Sequence, residues 1–293
     1  MSITIYKTLM IAKKNNINSY KEFLEYILKD KTKLISIINN IINIFLCATY
    51  FIMISGFGTY LNQAIGLNKI LGSIILAFIS YIIFLKNIES ITKVNDIIIP
   101  ILITIVFIVG IENMKNLNIY KTIYQISDKN NLIWIVQAIL YASYNLILLI
   151  PVLINLKKLI KNKKQIIFSS IGTGIIMSIL SIFVFLLLAN VDKNFEKIEM
   201  PIIYVINNTF NKFNIIYGIA VLIAIFTTAI SVGIVFLNNM SAENNIKFKK
   251  LAMAICVISV LVSPIGFSNL IGNLFPLFGF LGLIEIFYIN MRN

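Results

Sequence analysis

Apolar runs of roughly 20 residues, parted by short polar stretches, repeat along the chain from residue 34 onward. A helix needs about 20 apolar residues to cross the hydrocarbon core of a bilayer. Eight runs read as spans: Leu34–Tyr60, Leu67–Leu85, Val94–Ile111, Leu132–Asn155, Ile166–Ala189, Phe213–Leu237, Leu251–Ile265 and Phe267–Ile289. The first is long enough to tilt. The seventh is short, and Pro264 and Gly266 predict a tight turn from it into the eighth. Met1–Ala12 is apolar over about half the length of a span. The expected architecture is an all-α polytopic membrane protein, one transmembrane helical domain over residues 1–293 with its eight spans in 34–289.

Two further segments carry helical patterns too short to span. In 19–30, Ser19-Tyr20-Lys21-Glu22 fits a capping box, in which the Ser hydroxyl and the Glu carboxylate satisfy free backbone N–H groups. Tyr20, Phe23, Leu24, Ile27 and Leu28 then share one face, which predicts a cytoplasmic surface helix. Pro201 suits a first helical turn, and Ile202, Val205, Ile206, Thr209 and Phe210 follow as a second stripe. That helix is expected either on the bundle as a lid or in the membrane interface.

Composition narrows the class. Hydrophobic residues make up 59% of the chain, charged residues 13%, and the mean hydropathy is +0.91. A soluble domain carries about 25% charged residues, so a soluble enzyme, a disordered chain and a secreted disulfide scaffold are all excluded. The net charge of +13 comes from 24 Lys and one Arg against 12 acids. It does not imply nucleic-acid binding, because the lysines cluster beside the spans and serve to orient them. With the segment before Leu34 in the cytoplasm, 17 positive residues fall inside and seven outside, Lys7 being unassigned. Both termini are therefore expected in the cytoplasm of a cell bounded by this multi-pass plasma membrane. The preference for Lys over Arg, with abundant Ile and Asn, is the mark of an AT-rich coding sequence.

The chain has no His, which removes serine–histidine and cysteine–histidine catalysis and the commonest zinc ligand. No enzyme activity, no resident metal and no cofactor beyond a transported or coupling Na⁺ are expected. Cys47 and Cys256 sit in apolar runs without CxxC spacing and read as small buried hydrophobes. The first 12 residues lack the basic start and small-residue site of a cleavable signal peptide.

Polar residues inside spans are where chemistry is sought, because a broken helix in hydrocarbon survives only beside a cavity. Tyr141-Ala142-Ser143-Tyr144-Asn145 lies in the middle of the fourth span, with Pro151 beyond it. Proline frees the carbonyl four residues earlier, here that of Ile147. The stretch is expected to unwind and line a substrate site through Tyr141, Ser143, Tyr144 and Asn145. The alternative is a proline kink whose polar groups bond neighbouring helices. In the sixth span Thr227 and Ser231 share a face with Thr228 beside them. Their hard oxygens suit Na⁺, and the alternative is back-bonding to carbonyls of the same helix. The first span offers Tyr50, Ser55 and Gly56, read either as substrate contacts or as packing. Pro276, after Gly272 in the eighth span, predicts a break or a kink. Of the acids, Glu89, Asp96 and Glu112 mark span ends. Glu285 lies within the eighth span and is expected to snorkel or pair with Arg292 at the interface.

Taken in order, Ser19-Tyr20-Lys21-Glu22, Met53–Gly58, Asn95–Pro100, Tyr144–Ile147 with Pro151, Thr227-Thr228-Ala229 and Pro276–Gly279 resemble the YkvI-type membrane proteins. That family is related to the amino acid–polyamine–organocation superfamily. The resemblance implies a leucine-transporter-type bundle, a five-plus-five inverted repeat of ten spans, in which the eight here match the third to tenth. The first family span has no counterpart, and Met1–Ala12 stands as the remnant of the second. The likeness further implies a secondary transporter of amino acids or similar small solutes, coupled to Na⁺ or H⁺. Its central site would use the span Leu132–Asn155, and its sodium site Thr227, Thr228 and Ser231. Loss of the first span would remove half of each site and impair activity. Relatives in the superfamily also include spore germinant-receptor subunits, so a non-transporting receptor with a membrane partner subunit, or an inactive fragment, stands as the alternative.

Overall fold

The computed structural model describes residues 1–29, 31–86, 92–114, 133–157, 160–189, 198–209, 214–241 and 244–291, and every described element is helical. In chain order these are α1 (Ser2–Lys14), α2 (Tyr20–Leu28), α3 (Thr32–Ile65), α4 (Lys69–Lys86), α5 (Thr92–Met114), α6 (Ile133–Leu156) and α7 (Lys163–Ala189). After them come α8 (Pro201–Thr209), α9 (Asn214–Ser241), α10 (Asn245–Val262), a 3₁₀ turn at Ser263–Ile265 and α11 (Phe267–Met291). Among the described residues, seven helices are long and apolar enough to cross a membrane: α3, α4, α6, α7, α9, α10 with its 3₁₀ turn, and α11. The remaining expected span is helical too: α5 runs through Thr92–Met114, with Ile97–Glu112 as its described apolar stretch.

The chain divides into two compact units. The first holds Met1–Phe45, Asn131–Ile179 and Gly272–Asn293. Here α1 packs along α6: Ile5 and Leu9 meet Leu146, Leu153 and Ile166 in one apolar cluster. Lys13 and Lys14 close α1, where positive charge complements the carbonyl end of the helix. A second cluster joins Ile11, Ala12 and Ile17 to Phe23 and Ile27 of α2, Ile150 and Ile154 of α6 and Ile289 of α11. The expected cap of α2 forms. Ser19 Oγ accepts from the Glu22 N–H at 3.2 Å, and Glu22 Oε2 accepts from the Asn18 N–H at 2.8 Å. The Asn18 N–H first, and the Ser19 side chain after it, hold the Glu22 carboxyl below its ordinary range. The apolar stripe of α2 is buried at Phe23, Leu24, Ile27 and Leu28.

The second unit holds Leu46–Asn130 and Leu180–Ile271. Within it α4 packs on α10 and α5 on α9. One apolar cluster gathers Tyr60, Ile105, Val109, Met200, Ile203, Val205, Ile206 and Tyr217. Pro201 opens α8 as expected, and the helix is fastened to this cluster through Val205, Ile206 and also Ile203. Ile202 is partly buried against it, while Phe210 and the Thr209 side chain lie outside the described residues. The turn expected at Pro264 and Gly266 is present: Ser263–Ile265 is a single 3₁₀ turn, and Gly266 takes φ 93°, a left-handed value that glycine reaches without strain.

Candidate functional site

In the first unit the polar stretch of α6 lies on an unbroken helix, which corrects the expected unwinding. The reason is local. Ser143 Oγ donates to the Ile139 carbonyl at 2.7 Å, and Asn145 Nδ2 donates to the Tyr141 carbonyl at 2.7 Å. Each polar side chain finds an acceptor one turn back on its own helix, so nothing requires the backbone to open. Pro151 sits inside the same helix. The side chains form the wall of an aromatic group: Tyr144 lies 5.3 Å from Tyr141 and 4.6 Å from Phe275, ring to ring. Phe45 stacks on Phe278 at 4.0 Å and meets Phe275 edge-on at 5.9 Å. Tyr141 is half exposed and Ser143 buried. α11 likewise runs through Pro276 without a break. It presents Gly279 and Gly282 to the α6 backbone at Leu140 and Ser143.

In the second unit Tyr50 is fully buried. Its hydroxyl lies 3.3 Å from Cys256 Sγ, with Ser80 and Ser259 beside it and the Phe84 ring 5.9 Å away. Cys256 is thus buried as expected, but with a polar neighbour that sequence spacing could not show. Ser55 Oγ donates to the Ser263 carbonyl at 3.2 Å, tying α3 to the turn before α11. Gly56 faces the Phe267 ring, which a Cβ would meet at 2.8 Å. Both residues therefore hold helices together here. In α9, Thr227 Oγ1 donates to the Ala224 carbonyl at 3.2 Å and Ser231 Oγ to the Thr227 carbonyl at 2.8 Å. Thr227 is buried, while Thr228 and Ser231 are partly so. Donation to the Thr227 carbonyl leaves the hydroxyl lone pairs of Ser231 as acceptors.

One polar node gave no signal in the sequence. Glu199, outside the spans, takes the Lys69 ammonium in an ion pair, the Thr59 hydroxyl at 3.2 Å and the backbone N–H of Phe267 at 2.9 Å. Its own carbonyl accepts from Ser268 Oγ at 3.2 Å. The carboxylate thus joins α3 and α4 to the first N–H of α11, a free donor at the positive end of that helix. Partial burial pushes the Glu199 carboxyl up, but Lys69, the Phe267 N–H and Thr59 together outweigh it and hold the group below its ordinary range. A carboxyl lowered on folding stabilises fully above the ordinary glutamate value and loses that contribution as pH falls through the lowered one. The pair is partly exposed, so Glu199→Gln is expected to cost about 1 kcal/mol near neutral pH. Thermal unfolding of the two proteins in detergent checks this. The melting temperatures should differ near pH 7 and converge in acid, and a pH-independent gap would refute the node's electrostatic role.

Glu285 does not snorkel. It is 2% exposed, and Oε1 accepts from the Tyr20 hydroxyl of α2 at 2.9 Å. Arg292, its expected partner, lies outside the described residues, as do Glu89 and the Asp96 side chain. Burial, and then the neighbouring Glu285, push the Tyr20 phenol well above its ordinary range, so Tyr20 remains a donor.

The chain is similar to two Bacillus subtilis (strain 168) proteins. It shares 24% identity with "Uncharacterized membrane protein YkvI" over 287 residues, 96% of this chain and 80% of that one. It shares 22% with "Uncharacterized protein YyaD" over 239 residues, 82% of this chain and 69% of that one. No family model and no solved structure matches the chain. With seven helices among the described residues long and apolar enough to cross a membrane, and a membrane protein among its relatives, this is a membrane protein.

Proposed function

We propose that the protein is a secondary transporter of amino acids or similar small solutes, working by alternating access with Na⁺ or H⁺ coupling. The observation that carries this reading is the polar stretch of α6, Tyr141 to Asn145, within a helix long and apolar enough to span, its Tyr144 packed between Tyr141 and Phe275. Such a stretch is costly in lipid and is retained where it meets a solute or a neighbouring helix. On the same reading the bundle is of the leucine-transporter type, α6 supplies the substrate contacts, and the hydroxyls of Thr227, Thr228 and Ser231 meet the ion. A second reading, a non-transporting receptor with a partner subunit, is favoured by α7, whose candidate span is only 6% buried within the chain.

Uptake of labelled amino acids into proteoliposomes, under Na⁺ or pH gradients, tests the proposal. Gradient-driven accumulation is expected, lost in Asn145→Ala and Thr228→Ala and kept in Cys47→Ala. Absence of accumulation under every gradient would overturn it.

A further inference from the structure

Among the described residues, the Glu285 carboxyl has one hydrogen-bond donor, and its second oxygen, Oε2, is buried without a partner. An ionised carboxylate offers about four acceptor sites, and only Tyr20 is seen to fill one. An isolated buried carboxylate costs far more than one hydroxyl returns. The neighbouring apolar cluster is Ile11, Ala12, Phe23, Ile150, Ile154 and Ile289, which offers no counter-charge. Lys7 and Lys13 of α1 bond the carbonyls of Asn290 and Ile160, and Lys31 bonds the Tyr288 hydroxyl. Lys157, after α6, is buried with no hydrogen-bond partner at Nζ among the described residues, and its charge acts on Glu22 of α2 and not on Glu285. Tyr20 is the titratable group that reaches Glu285.

We propose that Glu285 is a proton-binding site of the bundle, positioned by Tyr20. An O–H bond forms at Oε2 with a proton taken from water. On release that bond breaks, the proton returns to water and the electron pair stays on the carboxylate. Tyr20 keeps its own proton and fixes the carboxyl through Oε1. Because Tyr20 stands on α2, a helix outside the spans, its hydroxyl links the buried acid to the segment that leads out of the bundle. A metal ion fits less well, since it needs several oxygen ligands and Tyr20 is the one neighbouring oxygen bonded here. Use of this proton for coupling rests on the transporter reading; protonation itself does not.

Infrared difference spectra of the full chain in proteoliposomes, recorded across about pH 4 to 9, test the site. A titrating carboxylic-acid C=O band is expected in the wild type. It should vanish in Glu285→Gln, shift in Tyr20→Phe and persist in Glu199→Gln. A band that survives Glu285→Gln, or that added NaCl removes at constant pH, would overturn the proposal. If the band behaves as expected while no solute is taken up, transport fails and the proton site stands. If proton-driven uptake persists unchanged in Glu285→Gln, the coupling role falls.

Discussion

Gly58→Val is expected to abolish recovery of folded protein. At Gly58 α3 meets α4 backbone to backbone. A Cβ there would overlap the Lys69 carbonyl oxygen and lie 2.5 Å from Ser73 Oγ and 3.1 Å from Ser73 N. The fit is reciprocal, for a Cβ on Gly72 would lie 2.8 Å from the Gly58 Cα. Backbone cannot swing aside as the end of a long side chain can, so the whole helix must move. Ser73 Oγ also donates to the Ile54 carbonyl at 3.2 Å, and that link between the helices would go with it. The short connection offers no slack: Gly66 turns the chain at φ 72°, and Asn62 Nδ2 pins the Leu67 carbonyl at 2.9 Å. Ordinary overpacking costs about 1–3 kcal/mol, and two facing backbones put this site above that range. The check is the monodisperse fraction after detergent extraction, with the melting temperature of what remains. Gly172→Ala serves as control, since nothing lies within 4 Å of its Cβ position, and Ala in a helix interior is worth about 1 kcal/mol over Gly. A Gly58→Val protein with wild-type yield and melting temperature would sink the argument.

The same contrast shows what the sequence could reveal. Spans, the α2 cap and the Pro264–Gly266 turn depend on local pattern: apolar length, a Ser three residues before a Glu, a proline before a glycine. The cap and the turn are found in the structure, and seven of the eight expected spans appear among the described residues as helices long and apolar enough to cross a membrane. Gly58 and Gly172 look alike in sequence, yet one is pinned by another helix and the other is open. The unwinding expected at Tyr141–Asn145 failed for a related reason. A polar residue in a span reads the same whether it meets a solute or bonds the carbonyl one turn back, and Ser143 and Asn145 do the latter. Glu199 is invisible in the sequence because its partners come from positions 59, 69 and 267, and Glu285 is buried rather than snorkelling, with Tyr20 reaching it from 265 residues away. Long-range partners decide whether a buried acid is a snorkelling surface group or a held one, and hydropathy carries no record of them.

Gly282→Val is expected to remove uptake, because it presses on the backbone and Cβ of Ser143 and so moves the polar stretch of α6. A Cβ on Gly282 would lie 2.6 Å from the Ser143 carbonyl oxygen and 2.9 Å from its carbonyl carbon; one on Gly279 would lie 2.9 Å from the Leu140 carbonyl oxygen. Two glycines three residues apart on α11 thus face two residues three apart on α6, and the helices touch along one full turn. Valine must drive them apart where Ser143, Tyr144 and Asn145 sit, and where Tyr144 leans on Phe275. A shift of about 1 Å in a binding constellation can cost on the order of 100-fold in rate, so the initial uptake rate should fall by at least about tenfold. Gly272→Val separates this from a general effect of valine on α11, since nothing lies within 4 Å of a Cβ there. It is expected to keep most of the uptake, with extraction yield read beside the rate for both variants. If Gly282→Val transports like the wild type at equal yield, the α6–α11 contact does not set the geometry of the site. If both variants lose uptake equally, the effect belongs to α11 as a whole, and the backbone contact at Ser143 is not its cause.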